Sequence, residues 1–263
     1  MQGILFASFG TTHDNARQRD IEPSAQAVFE AFPDAMHAQA FTSSIVRRRL
    51  AARGVEIPDT PTALERMADA GVTEVVIQPG HLLPGKEYDK LLREAATQRE
   101  RFDSMRVGEP LLAVPDDLTE FVRIVCDTFP SQQGRAVVLM GHGSPSFSDA
   151  IYAALDYRFK EHGRADIFVG TVDGYPTLET VMRMLDNRFE GALLAPLMLV
   201  AGDHATNDMA GAMEDSWASA FKNAGYQVDC HFEGLGCLPH IHRLFVEHAR
   251  AARELSLTLG AAR

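Results

Sequence analysis

The chain has 263 residues, 46% of them hydrophobic, and a formal net charge of −11. That length allows one large domain or two modest ones, and no apolar run approaches the roughly 20 residues of a membrane span. The acidic balance repels nucleic acid and anionic membrane, so neither is expected as a partner.

In chain order, "MQGILFASFG" runs almost directly into a strand, with no basic leader and no small-residue cleavage site. Cys126, Cys230 and Cys237 are odd in number, widely spaced and without a CxxC pair, which fits buried thiols. Both features lead to the expectation of a cytoplasmic protein. Ile4–Ser8 reads as a strand, and a helix covers about Ile21–Ala31. "AMHAQAFTS" is a second strand. The basic run "SSIVRRRLAARG" on a helix is a solvated face or a local patch for an anionic ligand. "TPTALERMADAG" is a helix with Thr60 as cap and Gly71 as stop. "TEVVIQP" is a strand, "KEYDKLLREAATQRERF" a helix, "MRVGEPLL" a weaker strand and "DDLTEFVRIVCDTF" a helix. "PSQQGR", residues 130–135, is polar and turn-rich. Read as a linker, it divides a domain of residues 1–129 from one of residues 130–239.

The plan then repeats. "AVVLMG", "DIFVGTV", "GALLAPLMLV" and "YQVDCHF" are strands, the third long and buried. "SDAIYAALDYRFKEHG", "TLETVMRMLDNRF" and "NDMAGAMEDSWASAFKNAG" are the helices between them, and a last helix closes the chain. Strands alternating with helices imply parallel sheets with helices on both faces. The halves also resemble each other. "ASFGTTHD" lays over "MGHGSPSF", and "VVIQPGHLLPGKEYDK" over "LLAPLMLVAGDHATND". The second match pairs Gly85 with Gly202 and Glu87 with His204. The expected fold is α/β, a duplicated unit giving two similar domains.

In "GHGSP", glycines on both sides of His142 let the chain turn sharply and leave the ring uncrowded. Alone, this is a turn with an exposed histidine or one member of a site. Ligands bind at the carboxyl ends of parallel strands. His142 ends the first strand of the second half, Asp173 ends the second, and His204 follows the third. The separations are equal, 173 − 142 = 31 and 204 − 173 = 31, about one strand–helix unit. Two imidazoles and a carboxylate suit a divalent first-row metal. Three protein ligands leave coordination positions open, as catalysis or delivery requires. His81, at the corresponding edge of the first half, is a minor candidate. Ser144 lacks the G-x-S-x-G elbow. "ASFGTTHD" lacks both G-x-G-x-x-G and a Walker lysine, although its helix N-terminus could take phosphate.

"SFGTTHDNARQRDIEP", "AFTSSIVRRRL", "GHGSP", "GTVDGYPTLE" and "AGDHATNDMAG..EDSW" together resemble the anaerobic, early-cobalt-insertion sirohydrochlorin cobaltochelatases of cobalamin synthesis. These are class II chelatases, relatives of protoporphyrin ferrochelatase. The resemblance runs from about Ile4 to the last helix, and "AGDHATNDMAG" is its most specific part. It implies a tetrapyrrole cleft between the two domains and a last helix, about residues 240–258, packed on the first. It implies that His142 and His204 bind the incoming metal and act as the catalytic histidines. Asp173 stands where the family commonly has glutamate, which shortens the arm by one methylene.

The expected reaction is Co²⁺ insertion into sirohydrochlorin, with Fe²⁺ or Ni²⁺ able to substitute and no organic cofactor. Asp173 would complete the metal ligands, and Glu87 would assist as a proton acceptor. The substrate carries eight carboxylates. Arg47, with its neighbours Arg48 and Arg49, and the backbone around Gly10, Thr11 and Thr12 are the candidates to hold them. The partners expected are this tetrapyrrole and a divalent metal, and a homo-oligomer is compatible. The alternatives are iron insertion for sirohaem and a carrier that holds metal or tetrapyrrole without turnover.

Overall fold

A computed structural model describes residues 1–255. In chain order the elements are β1 (Gln2–Ser8), α1 (Asp14–Ala16), α2 (Glu22–Glu30), β2 (Met36–Phe41), α3 (Ser44–Ala51), α4 (Thr60–Asp69), β3 (Glu74–Gly80), α5 (Lys86–Ala96), β4 (Ser104–Val107) and α6 (Pro115–Thr128). They continue with β5 (Arg135–Gly141), α7 (Ala150–Glu161), β6 (Ile167–Thr171), α8 (Leu178–Leu185), β7 (Gly191–Pro196), α9 (Trp217–Asn223), β8 (Gln227–Cys230), α10 (Pro239–Arg250) and β9 (Arg253–Glu254). No helix among the described residues is long and apolar enough to cross a membrane.

The described residues divide into two compact units, residues 1–113 with 236–255, and residues 114–235. The first holds a sheet in the order β2-β1-β3-β4-β9, the second a sheet in the order β6-β5-β7-β8. Every neighbouring pair is parallel except β4–β9. Leaving out the two-residue edge strand β9, both sheets have the order 2-1-3-4. The duplicated α/β plan expected from the two halves is thus present as repeated topology.

Strands β1, β3, β5, β6 and β7 are buried on both faces because helices cover both. In the first unit Leu5, Ile77, Met105, Leu64, Met67 and Leu91 form one core layer, with α4 and α5 on it. On the opposite face Phe6 meets Phe245 of α10 edge to face, with centroids 5.6 Å apart. In the second unit Val138, Met140, Phe168 and Leu194 pack against Val181 of α8 and Trp217 and Phe221 of α9.

Several boundaries differ from expectation for local reasons. Helix α6 belongs to the second unit. Arg164 anchors its end by donating to the carbonyls of Cys126 and Phe129, at 3.3 and 2.8 Å. "PSQQGR" is therefore a turn inside the second unit, closed by the Gln132 carbonyl accepting from the Arg135 N–H at 3.2 Å. Helix α4 is capped by Asp59, which accepts from the Thr62 N–H at 3.0 Å, and not by Thr60. The long strand expected over residues 191–200 stops at Pro196. The helix expected over residues 207–225 is a π-helical turn, Ala205–Met209, followed by α9. Helix α10 ends at Arg250, and Arg253–Glu254 pair with β4. Residues 256–258 of the expected last helix lie outside the described residues.

Candidate functional site

In a 2-1-3-4 sheet the chain reverses direction across the sheet between the first and third strands. That switch point opens a crevice at the carboxyl edge. In the second unit it lies between β5 and β7. His142 follows the last residue of β5, and His204 lies eight residues past the end of β7, opening the π-helical turn. Their rings meet with centroids 4.5 Å apart and planes at 73°. Both side chains are about half exposed, 48% and 37%. Two distant imidazoles therefore converge on one accessible rim.

Their second contacts settle which nitrogen is bare. His142 Nδ1 lies 2.8 Å from the Gly143 carbonyl oxygen. A carbonyl only accepts, so Nδ1 carries a proton, and in the neutral ring the lone pair is on Nε2. His204 Nδ1 lies 2.7 Å from Asp208 Oδ2. The carboxylate likewise takes the Nδ1–H and leaves Nε2 bare. Each ring is thus held by one edge and offers the other, the arrangement usual for imidazoles that ligate metals.

Asp173 is near but differently placed. Its backbone N–H donates to the His142 carbonyl at 2.8 Å. Its Oδ2 stands 3.9 Å from His142 Nδ1, beside the protonated edge rather than the bare one. Among the described residues, no group of three or more His, Cys, Asp and Glu side chains converges as a metal site. The structure brings His142 and His204 together and leaves Asp173 outside the pair's lone-pair side.

The other candidates lie in the first unit. Glu87 sits in the first turn of α5 and accepts the Thr42 hydroxyl at 2.7 Å, while Lys90 donates to the Thr42 carbonyl. Gly10 has φ +91°, and a Cβ there would lie 2.5 Å from Phe41 Cγ. Gly10→Ala is expected to lower stability by about 2 kcal/mol from backbone strain and overpacking together, checked by urea unfolding. Thr11 is buried, and its Oγ1 accepts from the His13 N–H at 3.2 Å. The Thr12 carbonyl accepts from Arg53 at 2.6 Å. Arg47 pairs with Asp59 at 3.1 Å, while Arg48 and Arg49 are exposed. Burial alone would raise the Asp59 pKa, but the Thr62 hydrogen bonds and the Arg47 charge hold it below the ordinary aspartate value.

His81 follows β3, on the corresponding switch point of the first sheet. It is buried, and neither ring nitrogen has a hydrogen-bond partner among the described residues. Burial, with a smaller contribution from the Lys90 charge, pushes its pKa down to about 4.

Residues 2–254 match the family model described as "Cobalt chelatase (CbiK)". The chain belongs to that family. This chelatase is 36% identical over 260 residues to the sirohydrochlorin cobaltochelatase of Salmonella typhimurium, covering 97% of this chain and 98% of the relative. It is 32% identical over 259 residues to the sirohydrochlorin cobaltochelatase CbiKC of Nitratidesulfovibrio vulgaris, covering 95% and 90%. The solved structure titled "SirB from Bacillus subtilis with Fe3+" superposes with a TM-score of 0.63 over 95% of this chain and 94% of that one, at 15% identity. At that identity the likeness speaks to the fold alone.

Two further residues of the chelatase were not singled out from the sequence. Asp208 was legible in principle. It lies four residues after His204, and residues i and i+4 share one face of a helix. Asp149 had no such signal, because it bonds to residues five and 26 positions away.

Proposed function

We propose that the chain inserts Co²⁺ into sirohydrochlorin in the anaerobic route to cobalamin, with His142 and His204 handling the metal and the pyrrole protons. The observation that carries this reading is the pair of touching imidazoles, both turned so that Nε2 is bare. The net reaction replaces two pyrrole N–H bonds by metal–nitrogen bonds and releases two protons. An Nε2 lone pair cannot hold Co²⁺ and a proton at once. The metal therefore passes to the ring nitrogens first, and each freed lone pair then accepts a proton. Half-exposed imidazoles suit both tasks and can return the protons to water. Two protein ligands, with water completing the shell, hold the ion loosely enough to surrender it.

Asp173, beside the Nδ1 edge of His142, offsets positive charge in this scheme instead of bonding to the ion. Glu87 acts as a further proton acceptor. Glu87→Gln keeps the Thr42 hydrogen bond but removes the base, and is expected to lower kcat about 100-fold at neutral pH. The backbone at Gly10–Thr12 and Arg47 are assigned to the substrate carboxylates. Arg47→Ala then raises KM for sirohydrochlorin and weakens its salt dependence. An unchanged KM removes Arg47 from the scheme.

Fe²⁺ and Ni²⁺ are expected to compete, since imidazole ligands discriminate weakly among these ions. The test is an absorbance assay with many equivalents of sirohydrochlorin and, in parallel, Co²⁺, Fe²⁺ and Ni²⁺. Repeated turnover, fastest with Co²⁺, is expected. A single stoichiometric spectral change would identify a carrier, and a clear preference for Fe²⁺ a ferrochelatase.

A further inference from the structure

We propose that Asp149 is a positioning residue: its buried carboxylate holds the His142 imidazole in place through the single peptide group that joins Gly143 to Ser144. This rests on the reading that His142 and His204 handle the metal.

Asp149 precedes α7 as the last residue of a 3-10 turn, Phe147–Asp149, that Ser146 caps. Here its side chain makes no cap bond. It turns to the loops instead. Oδ2 accepts from the Ser144 N–H at 2.9 Å and from the Tyr175 N–H at 3.4 Å, and Oδ1 accepts from the Ser144 hydroxyl at 3.1 Å. The residue is 8% exposed. A buried carboxylate is costly unless hydrogen bonds satisfy it, and these bonds are charge-assisted.

The Ser144 N–H belongs to the same peptide plane as the Gly143 carbonyl. That carbonyl accepts the Nδ1–H of His142 at 2.8 Å. The order is therefore carboxylate, peptide, imidazole. Holding one edge of the peptide fixes the other, and with it the ring's orientation and tautomer. Hydrogen bonds in series also polarise one another. His204 has the direct version, with Asp208 on Nδ1. Both imidazoles are thus backed by a carboxylate, one directly and one through a peptide.

The packing around this peptide leaves it little alternative. Gly143 has φ +80°, and a Cβ there would lie 2.6 Å from the Gly174 nitrogen. A Cβ on Gly174 would collide with Asp149 Oδ2. Tyr152 of α7 lies under Gly141, with the backbone of His142 and Gly143 in hydrogen-bond reach of its phenol oxygen. Asp149 fastens the His142 loop to the Asp173 loop beside the close approach of Gly143 and Gly174.

The experiment compares Asp149→Ala, Asp149→Asn and His142→Ala in the sirohydrochlorin assay with Co²⁺, together with Co²⁺ titration of each protein alone. Asparagine can accept both N–H groups and donate to the Ser144 hydroxyl, so it keeps the geometry. Asp149→Asn is expected to stay within about threefold of the parent kcat. Asp149→Ala is expected to lose about 10- to 100-fold in kcat and in Co²⁺ affinity, with KM for sirohydrochlorin unmoved. If Asp149→Ala fails to fold, Asp149→Ser carries the same expectation, because serine keeps a polar group at the turn yet is too short to hold both loops. A folded alanine or serine variant with parental kcat overturns the proposal, as does an asparagine variant as impaired as alanine. Those results count against Asp149 alone when His142→Ala is inactive. An active His142→Ala instead overturns the metal-handling reading itself.

Discussion

His142→Ala and His204→Ala are each expected to lower kcat for cobalt insertion by about 100- to 10,000-fold, the range spanned by a lost positioned base. The fold is expected to survive, because both side chains are about half exposed and neither belongs to the core clusters. The two effects are not independent. The rings touch at 4.5 Å between centroids, and each needs the other to share one ion. The double variant is therefore expected to be little worse than either single one, as for other residues that act as a unit. Initial rates with matched circular dichroism check this. Asp173→Asn is the contrast. Its carboxylate faces the protonated edge of His142 at 3.9 Å, so its loss is expected to reduce activity about tenfold or less, in line with an exposed charge acting through water. Additive losses from the two histidines, or an Asp173 variant as inactive as they are, would require a different ligand set.

The second large effect concerns stability in acid. His81 is buried with a pKa of about 4, against 6.5 for the free side chain. Between those values the unfolded chain binds a proton that the folded chain refuses. Stability therefore rises with pH across this window. The His81 contribution is fully present above pH 6.5 and is lost as pH falls toward 4. Two to three pKa units correspond to about 3 kcal/mol. His81→Leu removes the titration together with two unpaired nitrogens. Its stability at pH 7 is expected to equal or exceed the parent's, and its decline between pH 6.5 and 4 to be shallower by about 3 kcal/mol. Urea unfolding at several pH values measures both slopes. Parallel slopes would show that His81 is hydrated or partnered in the folded state.

The central strands β1, β3, β5, β6 and β7 were legible because each is an apolar run flanked by turn residues, and burial on both faces leaves no alternation to misread. Their ends were less so. Pro196 ends β7 because a proline has no N–H to donate, a constraint the flat hydrophobicity of "GALLAPLMLV" conceals. The break after Met209 follows from the π-helical turn, which no periodicity announces. The edge that carries His142 and His204 was legible from strand order. The equal 31-residue spacing was a weaker guide. The three residues lie one, two and eight positions past their strands, so equal spacing does not mean equivalent placement. Spacing also says nothing of which ring edge a neighbour faces, and that is why Asp173 reads as a ligand in the sequence and stands beside Nδ1 in the fold. Helix α6 shows the same limit. Its carbonyls are claimed by Arg164, about 35 residues ahead, and so its unit could not be read from the local composition of "PSQQGR".

Under the proposed function, one Co²⁺ ion is held by two imidazoles through Nε2 and by no carboxylate. X-ray absorption at the cobalt edge, on the Co²⁺-loaded protein without tetrapyrrole, counts those rings directly. Two imidazole shells with oxygen from water in the remaining positions are expected, both lost in the His142→Ala/His204→Ala double variant and both kept in Asp173→Asn. A spectrum with one imidazole or none, or one in which Asp173→Asn removes a ligand, would contradict it.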